Sequence, residues 1–157
     1  MSARRDQIRK DLPTAVLAHW EDHGAETLAV DPEQIVPLTR YLRDRSEPRF
    51  ELLIDLTAID YPERAERFEL VYRLRALSRG ERLCLTCAVP ERPGEIDSIS
   101  AVFPAADWLE REVFDLYGVR FLGHPNLRRI LLDESFRGHP LRKDYAKTRR
   151  QLVRPGA

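Results

Sequence analysis

The sequence predicts an α+β fold, a two-layer domain in which a mainly antiparallel sheet is covered by helices on one face and followed by an extended C-terminal arm. Three observations lead there. Between residues 50 and 89, three segments alternate apolar and polar side chains with period two, and only short turn-forming stretches separate them. Helical patterns with recognisable starts and stops lie before and after those strands. After Gly118 the patterns weaken, basic residues accumulate after Phe136, and beyond Tyr145 no period remains. With 157 residues the chain has the length of one domain built around one core. A compact domain over residues 1–122 and an extended basic arm over 123–157 are therefore expected.

Residues 4 to about 20 predict a first helix, with Ile8, Leu12, Ala15, Val16 and His19 on one stripe and Pro13 interrupting it. A short strand over 27–30 leads to a helix start at Asp31, with Pro32 at the first helical position and Gln34 at the capping-box position. Ile35, Leu38 and Leu42 then face the core, and Pro37 is expected to bend this helix. The strand over 50–59 presents Phe50, Leu52, Ile54, Leu56 and Ala58 on one face. The next, over 67–77, presents Phe68, Leu70, Tyr72, Leu74 and Ala76 on one face and Arg67, Glu69, Arg73 and Arg75 on the other, which makes one face of the sheet wet. After a turn at 78–81 the third strand runs over 82–89. Connections this short join antiparallel neighbours, and helices must cover the dry face. Pro104 opens a helix that runs to about Tyr117 and stops at Gly118. Gly123-His124-Pro125 and Gly138-His139-Pro140 each place a histidine before a proline, which extends the backbone there. Residues 127–132 between them fit a strand or a short helix equally.

Lys plus Arg and Asp plus Glu both number 26, so the chain as a whole has no electrostatic reason to seek nucleic acid or anionic lipid. The first residues lack the apolar core of a secretion signal, and no window approaches the roughly 20 apolar residues that span a bilayer. Two cysteines do not make a disulfide framework, which fits a reducing compartment. A soluble or peripheral protein of the cytoplasm is the expectation.

Cys84-Leu85-Thr86-Cys87 has the spacing of a metal or redox pair, yet residues three apart on a strand point to opposite faces, and the sequence holds no further cysteines for a cluster. Both read as apolar fillers. The four histidines are His19, His23, His124 and His139; a zinc site from His124, His139 and a carboxylate is not expected, since those two are not at helical ligand spacing, and they read as hydrogen-bonding groups. In the helix after Pro104, Asp107, Arg111 and Asp115 are four apart and can support one another, with Leu109, Val113 and Leu116 as the core seam. The alternative is that Glu110, Glu112 and Asp115 receive arginine or backbone donors from a partner or from this chain's own returning arm. After Phe136 that arm carries Arg137, Arg142, Lys143, Lys147, Arg149, Arg150 and Arg154 against Asp144. It has few apolar groups to offset its ordering entropy, so residues 137–157 are expected to gain order on a protein partner. No phosphate loop, nucleophile elbow or zinc helix is present.

The run from Glu110 to Leu131 resembles the signature of the C subunit, the 30-kDa subunit family, of respiratory complex I, the proton-pumping NADH:quinone oxidoreductase. The matching positions are Glu110, Arg111, Glu112, Asp115, His124, Arg128, Ile130 and Leu131. Gly138-His139-Pro140-Leu141-Arg142-Lys143-Asp144-Tyr145 is similar to the family's second phrase, and Asp55 to Pro62 to its strand-ending one. The resemblance implies a structural subunit of the peripheral arm that holds no cofactor itself, while other subunits of the complex use NADH, flavin, iron–sulfur clusters and quinone. It implies docking on the D subunit and neighbouring peripheral-arm subunits, and contact with the membrane only through the complex. The chain alone is expected to be non-catalytic. Glu110, Arg111, Glu112, Asp115, His124, Arg128, Arg129, His139, Arg142, Lys143 and Asp144 become the candidate docking and signature residues. Three rival expectations are the related subunit of a membrane-bound energy-converting hydrogenase, a free-standing enzyme using His124 or His139 with a carboxylate, and a small basic-tailed RNA-binding module.

Overall fold

The computed structural model describes residues 3–22, 24–146, 148 and 151. His23, Lys147, Arg149, Arg150 and Arg154 lie outside the described residues. The chain begins with α1 (Ala3–Asp11), and the expected longer helix ends there. Residues 16–20 instead belong to β1 (Val16–Asp22), which pairs antiparallel with β2 (Ala25–Val30). Pro13 supplies no N–H to continue the helix, and Gly24 at φ +72 lets the chain reverse.

Asp31 caps the following 3-10 turn, Pro32–Gln34, by accepting the Glu33 N–H at 3.0 Å. Its own N–H, which a capping box would engage through Gln34, goes to the Ala15 carbonyl at 3.1 Å and ties the turn to the start of β1. In α2 (Ile35–Asp44), Ile35, Leu38, Thr39 and Leu42 are buried, and the Thr39 hydroxyl donates to the Ile35 carbonyl at 2.7 Å. Pro37 falls at the third position, inside the first turn, where α-helical N–H groups lack partners in the helix itself.

β3 (Leu52–Asp60), β4 (Phe68–Arg75) and β5 (Arg82–Val89) form the expected antiparallel meander. The full sheet runs β1-β2-β5-β4-β3, and β2 lies parallel to β5, a pairing the short connections could not announce. On its dry face Leu28, Phe68, Leu70, Tyr72, Leu74, Leu83 and Leu85 are buried together with the helix residues. The alternation read for β3 needs correction. Leu52 and Ile54 are 42% and 47% exposed, whereas Phe50, Leu53, Leu56 and Ala58 are buried. A bulge between Leu53 and Asp55 inserts one residue against β4, and a one-residue shift moves side chains to the other face.

Two short strands that no sequence pattern announces complete the fold. β6 (Glu95–Asp97) and β7 (Arg120–Leu122) pair in parallel and bracket α3 (Ala106–Tyr117), which lies against β3. Residues 123–146 contain no helix or strand, including 127–132.

Candidate functional site

α3 ends where Gly118 adopts φ +78 and donates its N–H to the Phe114 carbonyl at 2.9 Å. A β-carbon at Gly118 would stand 2.6 Å from the His139 ring and 2.7 Å from the Arg142 guanidinium, so glycine is required twice over, by backbone and by space. The chain after β7 folds back along this helix end, and buried charges hold it there.

The first clasp is Asp115, which is fully buried. Its Oδ2 accepts the N–H groups of Ile130, Leu131 and Leu132 at 3.1, 2.9 and 2.9 Å, and its Oδ1 accepts Arg129 Nη1 at 2.6 Å. Burial alone would push the Asp115 carboxyl up. The Leu132 N–H, the Arg129 guanidinium and the other two N–H groups outweigh it and hold the carboxyl below its ordinary range. Arg129 also donates to the Gly138 carbonyl at 3.1 Å. Arg111 donates to the carbonyls of Arg128 and Arg129, each at 3.2 Å. The expected mutual support of Asp107, Arg111 and Asp115 is therefore not formed. Each takes partners from the returning chain, because backbone groups leaving a regular element must be satisfied where they are buried.

The second clasp joins the strand ends to residues 139–144. Asp60 and Arg67 form a buried two-pronged pair at 2.7 and 2.9 Å. Asp60 Oδ2 also accepts the Lys143 N–H at 2.7 Å, and Arg67 Nη1 reaches Asp144 and Glu91 at 3.0 Å each. Asp60 is held below its ordinary range, since Arg67 and the Lys143 N–H outweigh the upward push of burial. Arg142 donates to the Tyr117 carbonyl, and the His139 Nδ1–H to the Asp115 carbonyl at 2.9 Å. Burial, seconded by the Arg142 and Arg129 charges, holds the His139 imidazole below its ordinary pKa.

The third cluster faces the small sheet. Glu110 is fully buried; it accepts the Ser98 hydroxyl at 2.6 Å and the Ile99 N–H at 2.8 Å. Burial pushes its carboxyl up to about 7. His124 Nδ1 accepts the Asn126 N–H, so its proton sits on Nε2, which donates to the Asp107 carbonyl at 3.0 Å. The same Nε2 lies 3.5 Å from the Asp107 carboxylate and 3.9 Å from Glu110.

Of the candidate residues, Asp115, Arg111, Arg128 and Arg129 meet in the first cluster, His139, Arg142, Lys143 and Asp144 in the second, and Glu110 and His124 in the third. Glu112 joins none and is exposed, as is the Arg128 side chain, whose carbonyl alone takes part. In the described part of the run after residue 136, which is expected to gain order on a partner, His139 to Asp144 are bonded within the chain. Sequence reasoning missed Arg67, Glu91 and Ser98 and left Asp60 as part of a phrase. Arg67, read onto the wet face, is only 6% exposed. Its one available signal was its place just before a strand whose first residue, Phe68, stands opposite Asp60.

Cys84 and Cys87 form no disulfide; Cys84 is half-buried opposite Arg73, and Cys87 is buried opposite Leu70, where burial pushes its thiol well up. Among the described residues no group of three His, Cys, Asp or Glu could hold a metal ion, and no helix is long and apolar enough to cross a membrane.

The fold and the site define a small α+β domain whose buried charges fasten its own returning chain to one helix. The chain belongs to the family described as respiratory-chain NADH dehydrogenase, 30 Kd subunit, whose model matches residues 28–151. It is thus a subunit of an NADH:quinone oxidoreductase, the complex I of the respiratory chain, and works among other subunits. The C subunit of the NADH-quinone oxidoreductase of Cereibacter sphaeroides is 47% identical over 141 residues, covering 90% of this chain and 70% of the relative. That of Rhodopseudomonas palustris is 49% identical over 137 residues, covering 87% and 67%. Among solved structures, the trypsin-resistant fragment (1–134) of Nqo5 superimposes with a TM-score of 0.64 at 26% identity, covering 79% of this chain and 99% of the fragment. A chain of the membrane-bound sulfane sulfur reductase, an archaeal respiratory membrane complex, superimposes with a TM-score of 0.78 at 25% identity, covering 92% and 84%.

Proposed function

We propose that this chain is the cofactor-less structural subunit of the peripheral arm, on the cytoplasmic side of the inner membrane, and that it docks on the D subunit of the complex. It supports electron transfer from NADH to quinone, coupled to proton translocation, by holding neighbouring subunits in place. NADH, flavin, iron–sulfur clusters and quinone belong to other subunits, contact with the membrane is indirect, and nucleic acid is not a partner. One observation carries this reading within the family frame. The clasps use Arg111, Arg129 and Arg142 internally and fix the backbone of 128–144, while the Arg128, Arg137 and Lys143 side chains stay exposed on that fixed ridge. A ridge ordered before binding avoids the cost of ordering it at the interface.

The test is affinity purification of the tagged chain from native membranes with cross-linking, beside the chain purified alone. The expected result is NADH:quinone activity and cross-links from the 128–144 ridge to the D subunit in the membrane sample, with no visible absorption, iron or NADH oxidation in the isolated chain. Stoichiometric iron or intrinsic turnover in the isolated chain refutes the cofactor-less role. Cross-links confined to other members of the complex refute docking on the D subunit.

A further inference from the structure

The clasps leave one flank of α3 with exposed apolar side chains beside an arginine that is bonded to carbonyls but, among the described residues, to no carboxylate. Trp108, Arg111 and Asp115 fall on one stripe of the helix, three and then four residues apart, and the segment 128–132 runs beside it. Trp108 is 62% exposed and Leu131 61%, both large apolar side chains turned to solvent. Arg111 is 7% exposed, its guanidinium 5.2 Å from the Trp108 ring, and its acceptors are two uncharged backbone carbonyls. The carboxylates one turn to either side are engaged elsewhere, Asp107 beside His124 and Asp115 with Arg129. Among the described residues no carboxylate pairs with Arg111, and none pairs with the exposed Arg128. A cation removed from water without an opposing charge is destabilising, and an arriving carboxylate relieves that cost.

Resting on the subunit reading above, we propose that Trp108, Arg111, Arg128 and Leu131 form a docking surface for a segment of a partner subunit that presents an apolar side chain flanked by a carboxylate. The apolar group covers Trp108 and Leu131, and the carboxylate meets Arg111 and Arg128. Tryptophan and arginine are among the residue types that dominate binding energy at interfaces, and here they lie side by side. Exposed Glu112, on the same helix, disfavours a run of acidic residues and so selects one carboxylate beside an apolar neighbour.

The experiment replaces the chromosomal copy with Trp108→Ala/Leu131→Ala, Arg128→Glu and Arg128→Lys, and measures assembled complex on native gels beside the melting temperature of each isolated chain. A photo-cross-linker at position 108 of the otherwise unaltered chain identifies the occupant in a fully folded background. Expected are an at least about tenfold weaker association for the double variant and for Arg128→Glu, near-normal assembly for Arg128→Lys, and unchanged melting temperatures for all three. The cross-link should fall on a partner peptide holding Asp or Glu next to an apolar residue. Normal assembly of the double variant and of Arg128→Glu overturns the proposal, as does a cross-link to lipid, to RNA, to a second copy of this chain or to a peptide without a carboxylate. If the unaltered chain itself fails to enter the complex, the subunit reading fails instead, so the two failures are distinct.

Discussion

Replacing Asp115 by Asn changes one carboxylate oxygen to NH2 with almost no change of shape, and it tests whether this residue fastens the returning chain. The amide oxygen can face either the three N–H groups of residues 130–132 or Arg129, but not both. If it keeps the three N–H groups, Arg129 meets a donor where it had an acceptor at 2.6 Å. Stripping one partner from a buried pair costs about 3–5 kcal/mol. Because the Arg129 side chain is 18% exposed and can recover some hydration, the lower end, about 3 kcal/mol, is expected. At about 2–4 °C per kcal/mol for a chain of this size, the melting temperature should fall by about 6–12 °C. The pH dependence should change as well. The folded Asp115 carboxyl is held below its ordinary value of 3.8, so it contributes stability that is present above that pH and lost as pH falls through the folded value. The variant should lack that acid-side loss. Circular dichroism melts from pH 3 to 8, with amide exchange of Ile130, Leu131 and Leu132, read both effects. A melt within about 1 °C of the unaltered chain, with protection of those amides intact, would falsify the assignment of Asp115 as the clasp.

Glu110→Gln is expected to act at the opposite end of the pH scale. The folded carboxyl sits at about 7 against an ordinary 4.5, so its contribution is fully present below 4.5 and lost as pH rises through about 7. That displacement corresponds to about 3 kcal/mol; the glutamine variant should melt higher than the unaltered chain at pH 8 and not at pH 5, and parallel pH curves would sink the idea. Gly118→Ala should be far more damaging than Gly24→Ala. Both have positive φ, but a β-carbon at 118 meets His139 and Arg142 while nothing lies within 4 Å at 24, so equal melting shifts would refute the close-approach argument. Truncation after Phe136 removes the Lys143 N–H from Asp60 and Asp144 from Arg67. The isolated domain should lose at least about 2 kcal/mol, and an unchanged denaturant midpoint would show that this segment adds nothing to the fold.

Much of the architecture was legible because it rests on local patterns. The inward face of β4, the span of β5, the cap at Asp31 and the stop at Gly118 follow from period-two alternation and from residues with restricted or unusual backbone preferences. The candidate residues in 107–144 were also visible as charges too closely mixed with apolar groups for a plain surface helix. Local patterns misled wherever one residue of register or one distant partner settled the outcome. The bulge in β3 turned Leu52 and Ile54 outward, and β1 took residues that also fit a helical stripe, because strand pairing is settled by the neighbouring strand.

The order of residues was enough to establish the family, the strand and helix propensities, and the presence of a charged helix followed by a basic segment. The partners of those charges emerge only in three dimensions. Asp115 has an arginine four residues before it, yet pairs with Arg129 and the amides of 130–132; Asp60 pairs with Arg67 across a strand turn and with Lys143 83 residues away. Short-range spacing on an exposed helix is worth only tenths of a kcal/mol per pair, whereas a buried carboxylate left without donors costs several. The bigger energy wins, and it depends on which segments the fold brings together, information that no window of the sequence contains.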